Sequence, residues 1–127
     1  MTERTTVVDF VAKGDTPDEW KMVLVEEGPW ADPVDAELRR VQERLYGTID
    51  AALDGQLAEK FPESRGKKII VQLDCYNCPG TEVAEFFDRF SKGVFATADY
   101  KQALDKSQFV SGITFRLNLE TIVPRTS

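Results

Sequence analysis

DPVDAELRRVQERLYGTIDAALDG, residues 32–55, decides the fold. Within it Val34, Leu38, Val41, Leu45, Ile49 and Leu53 recur three or four residues apart, which aligns them along one side of an α-helix. Asp32 suits the helix cap, Pro33 the first helical position, where no backbone donor is lost, and Gly55 the left-handed residue that ends a helix. A helix with a single apolar stripe needs a sheet to cover, and the segments on either side supply strands.

Upstream, residues 7–12 (VVDFVA) and 20–26 (WKMVLVE) are β-branched and aromatic and are separated by turn formers at 13–18, the pattern of a hairpin. Trp20, Met22 and Leu24 alternate with Lys21 and Val23, which gives the second strand one buried face. Trp30 stands before the cap, where an apolar residue staples the first turn or joins the core. Downstream, residues 56–62 continue as a helical turn until Pro62 restricts Phe61, and 63–66 form a turn. Residues 67–74 (KKIIVQLD) make an interior strand.

A second main helix starts between Cys78 and Thr81 and carries Val83, Phe86, Phe87, Phe90 and Val94 on its inner face. Asp99 caps a short helix running to Leu104, and residues 112–120 alternate with Ile113, Phe115, Leu117 and Leu119 on one side. The order β-β-α-β-α-β predicts an α+β two-layer sandwich: a four-stranded sheet, mostly antiparallel or mixed, with both main helices on one face. If the last two strands are neighbours, the helix between them makes that pairing parallel through a right-handed crossover.

The 127 residues form one domain by size, with loose ends at 1–6 and 123–127. A formal charge of −6, from 22 acidic and 16 basic residues, argues against nucleic acid and anionic membranes as partners, since the densest basic run, Arg65-Gly66-Lys67-Lys68, is short. It is compatible with a basic protein or a cationic ligand. No apolar run approaches the roughly 20 residues that span a bilayer, and no basic segment followed by an apolar one opens the chain, so a cytoplasmic location is expected. Histidine is absent, which removes His-dependent nucleophile triads and His-containing zinc sites.

The one short motif with a mechanism is Cys75-Tyr76-Asn77-Cys78, at the end of the interior strand and ahead of a helix. A helix N-terminus stabilises a thiolate, so the pair is a candidate thiol-disulfide site; the alternative is two semi-buried thiols at a strand-to-loop junction. Two cysteines hold a tetrahedral zinc only with added carboxylates or with a second chain completing a Cys₄ set, so no metal or cofactor is expected within one chain. The carboxylates between residues 15 and 37, Glu26 among them, and the face formed by Arg39, Arg40, Glu43 and Arg44 read as solvated surface.

Val8-Asp9-Phe10, Met22-Val23-Leu24, Trp30, Gln42-Glu43-Arg44-Leu45, Gly55-Gln56, Phe61-Pro62, the run from Arg65 to Val71, and Cys75 together resemble a family of short bacterial proteins of unknown function. The resemblance spans roughly residues 7–90, with the run from Arg65 to Val71 its most specific part. It implies a small bacterial cytosolic protein with no assigned activity. This chain departs from the pattern in Cys78 and in the extended region between Gly93 and Ser111.

With no catalytic constellation in the sequence, a non-enzymatic binding or protein-interaction domain is expected. An apolar patch on the open sheet face, fed by Val23 or Val25, would let it self-associate. The alternatives are a thiol-disulfide redox protein using Cys75 and Cys78, and an acidic immunity-type protein that binds a basic partner.

Overall fold

The computed structural model describes residues 8–31 and 33–120. The stripe that organises the sequence lies on α1 (Asp35–Leu53), where Val41, Leu45 and Ile49 have no exposed surface and Leu38 and Leu53 are half-buried. Gly47, Thr48, Ala51 and Ala52 widen the buried face. Each Leu or Ile side chain removed from water in this way contributes about 1.5–3 kcal/mol. Val34 is the N-cap and makes no side-chain cap bond; the expected cap, Asp32, lies outside the described residues. Gly55 has φ +97°, and a Cβ there would stand 2.8 Å from the Phe109 ring, so both its conformation and its surroundings exclude a side chain.

Four strands form one sheet in the order β1 (Phe10–Lys13), β2 (Glu19–Glu27), β3 (Lys67–Tyr76), β4 (Val110–Glu120). The tight connection between β1 and β2 makes that pair antiparallel. α1 and the short α2 (Gln56–Lys60) separate β2 from β3, and α3 (Gly80–Gly93) and α4 (Ala98–Lys106) separate β3 from β4. Both of these pairings are parallel, as long helical crossovers require. The result is an α+β two-layer sandwich with a mixed sheet, the architecture that the order of elements implies.

Register places Trp20, Ile69 and Ile113 in one row facing the helices, then Met22, Val71 and Phe115, then Leu24, Leu73 and Leu117. The next row is Glu26, Cys75 and Leu119. Val83, Phe86, Phe87 and Phe90 of α3 are buried, and Phe87 and Phe90 meet the Phe115 ring edge-on at 6.2 and 5.9 Å. Trp30 packs against the core, half-buried.

Four local expectations change. β1 covers residues 10–13 instead of 7–12, and Val7 lies outside the described residues. Thr97, not Asp99, is the N-cap of α4, and Asp99 sits in its first turn. Val23 is buried on the sheet face turned away from the helices and Val25 is half-buried, so neither feeds an exposed patch. The large exposed hydrophobics among the described residues are Phe10, 51% exposed, and Leu119, 42%. Glu26, read as solvated, is only 4% exposed, because the period of β2 turns it inward beyond Leu24.

No described helix is long and apolar enough to cross a membrane. Leu45→Ala and Leu73→Ala each remove a side chain with no exposed surface. Each is expected to cost about 2–5 kcal/mol. Urea unfolding checks this, and a loss below about 1 kcal/mol at either site would contradict the packing described.

Candidate functional site

At the carboxyl ends of the parallel strands, where open α/β sheets commonly place ligands, the inward row ends in Glu26 and Cys75. Two arginines one turn apart on α1 reach this end. Arg40 donates from Nη1 to Glu26 Oε2 at 2.9 Å and from Nη2 to Oε1 at 2.5 Å, a two-pronged pairing, while its Nε donates to Glu37 Oε1 at 2.9 Å. Arg44 donates from Nη1 to Glu26 Oε2 and to the Val25 carbonyl, and from Nη2 to Asp9 Oδ2 at 2.8 Å. Asp9 Oδ2 also accepts the Val25 backbone N–H at 2.6 Å.

Arg44 is not the solvent-facing residue that helix periodicity predicts, its side chain being only 14% exposed; Arg40 is 46% exposed as expected, yet its guanidinium joins Arg44 in clamping a buried carboxylate. Burial works to raise the Glu26 pKa. The hydrogen bonds and charges of Arg40 and Arg44 outweigh it and hold the carboxyl below the usual glutamate range. At Asp9 burial is likewise overcome, by the Val25 N–H and by Arg44. A carboxylate engaged by two guanidinium groups is a poor proton acceptor, so this cluster fixes α1 to β1 and β2 and is not equipped for acid-base work.

Cys75 and Cys78 do come near one another, beside Glu26. Cys75 is 1% exposed and belongs to the core. The Cys78 thiol donates to the carbonyls of Glu26 and Tyr76 at 3.8 and 3.7 Å. Burial first, then the neighbouring Cys78 and the charges of Glu26 and Asp74, push the Cys75 thiol well up; burial and the Glu26 charge push Cys78 up. Pro79 is the N-cap of α3, so Cys78 precedes the helix instead of opening it. An attacking thiolate needs the opposite environment. Among the described residues, no group of three His, Cys, Asp or Glu side chains could hold a metal ion.

A different grouping lies on the flank of the helical layer. Glu43, Tyr46 and Asp50 of α1 and its C-cap Asp54, spaced three or four apart, face Asp99 and Tyr100 of α4 across a groove. Its wider part, between Asp50 and Asp99, has a volume of about 460 Å³. The Tyr46 and Tyr100 rings stand 5.5 Å apart, and the Tyr100 hydroxyl donates to Asp50 Oδ1 at 2.9 Å. Asp54 accepts the backbone N–H and side-chain amide of Gln56. Among the described residues, four carboxylates line the two parts of the groove and no Lys or Arg does. Carboxylates beside tyrosine faces suit a guanidinium or ammonium group, which gains ion pairing and ring contact together.

Sequence reading treats Glu43 as solvated. The spacing of Glu43, Tyr46, Asp50 and Asp54 beside the apolar stripe is the signal that marks one wall. Nothing local marks the other wall, because Tyr100 is 50 residues from Asp50.

The lowered folded-state pKa values of Glu26 and Asp9 give stability that is present above their unfolded values and lost as pH falls through the folded ones. Unfolding free energy is expected to drop as pH falls below about 4, and Glu26→Gln is expected to flatten that drop and cost about 1.5–3 kcal/mol at neutral pH. Denaturant titrations across pH test both; a Glu26→Gln profile parallel to the wild type would contradict the clamp. At about pH 8 a thiol reagent should label Cys78 more slowly than a free cysteine and reach Cys75 only on unfolding, as read by intact mass.

No family model, curated protein or solved structure matches this chain.

Proposed function

We propose that this chain is a non-enzymatic protein-binding domain of the bacterial cytoplasm, and that the groove between α1 and α4 holds a basic partner, as an immunity-type protein would. The observation that carries this is the lining of the groove: Glu43, Asp50, Asp54 and Asp99 around Tyr46 and Tyr100, with no Lys or Arg among the described residues. Aromatic anchors flanked by one sign of charge combine the contact area and the steering that protein interfaces use. The chain's charge of −6 adds long-range attraction for a cationic partner.

Membership in the family of short bacterial proteins of unknown function is part of the same proposal. Its support is the run from Arg65 to Val71, which supplies the Gly66 turn, at φ +79°, and the first half of β3. The thiol-disulfide alternative has less support, because burial and neighbouring negative charge favour the protonated thiols.

Deca-arginine carrying a fluorophore is a direct probe, followed by anisotropy. Binding is expected to weaken about tenfold in the double variant Asp50→Asn, Asp99→Asn, to fall with added salt, and to be absent for deca-glutamate. Asp50→Asn keeps an acceptor for Tyr100, so folding is preserved. Equal binding by the double variant would overturn the proposal.

A further inference from the structure

On the opposite flank, between the β1 edge and α2, lies an apolar crevice of about 320 Å³, within the size range of small-molecule sites. Val11, Met22, Leu57 and Phe61 wall it, and the exposed ring of Phe10 stands at its rim. Among the described residues, the charged group lining it is Lys60, the last residue of α2, and no Asp or Glu contributes. Lys60 has no ion-pair partner among the described residues, and its neighbour Glu59 lines a separate depression beside Arg65 and Phe109. Gln56, the other polar lining residue, has its amide nitrogen bonded to Asp54 at 2.8 Å.

We infer that this crevice binds a small amphipathic monocarboxylate, an aliphatic or aryl chain seated among Met22, Leu57 and Phe61 with its carboxylate on Lys60. Apolar walls take the chain, and removal of its surface from water drives entry. One ammonium without a guanidinium fork matches a singly charged carboxylate better than a phosphate, which calls for several donors. The crevice lies apart from the acidic groove, so this inference stands or falls independently of the basic-partner proposal.

Met22 lines the crevice, and the only other methionine is Met1, so methyl-labelled methionine gives a local NMR reporter in the full chain. Decanoate is expected to move the Met22 methyl signal saturably. Lys60→Gln, on the exposed side of α2, should weaken decanoate about tenfold while leaving decanol unchanged. The absence of a saturable shift would overturn the inference, as would equal decanoate binding by Lys60→Gln. A Met22 shift that follows protein concentration instead of decanoate would place a second copy of the chain in the crevice and also overturn it.

Discussion

The structure depends on covering α1. A helix of 19 residues with a continuous apolar stripe is not stable alone in water, and its packing on the sheet supplies most of what holds it. The row pattern of β2 that serves this need, Trp20, Met22 and Leu24, has a period of two, and the same period turns Glu26 inward. A buried carboxylate must be answered, and the same helix answers it with Arg40 and Arg44. α1 is thus held by the buried Val41, Leu45 and Ile49 and, over its first half, by the ion pairs of Arg40 and Arg44 as well. Buried ion pairs add little net stability over an apolar packing, yet removing one partner strands the other, so the clamp restricts how α1 can shift along β2.

The clamp also governs the chemistry at that end of the sheet. The carboxyl ends of parallel strands are the usual place for a ligand, but here side chains of the domain itself occupy the position. The negative charge of Glu26, next to Cys75 across the β2–β3 pairing, helps keep both thiols protonated. Gly28 and Asn77 close the strand ends together: a Cβ on Gly28 would stand 2.0 Å from the Asn77 carbonyl oxygen, and Gly28 N–H donates to the Tyr76 carbonyl. Open depressions lie to the sides, among them an acidic tyrosine groove on the α4 flank and an apolar crevice on the β1 flank. Their opposite characters follow from which side chains the helical layer leaves at its two margins.

Periodicity and turn chemistry alone determine the element order, the helical face of Val41, Leu45 and Ile49, the phenylalanine face of α3, the central place of β3 and the left-handed Gly55. These are legible because each rests on residues within a few positions of one another, where burial repeats with the period of the element. Glu26 was not legible as buried, nor Arg40 and Arg44 as its partners. A helix read by itself cannot reveal that a strand 14 residues earlier presents a carboxylate to it. The candidate site divides the same way: one acidic wall is written along α1, while the approach of Tyr100 to Asp50 and of Lys60 to the β1 edge exists only once the crossovers have closed. Local sequence sets which face of each element seeks the core; the side chains left at the margins become neighbours only through long-range packing, and that decides which groups share the groove and the crevice.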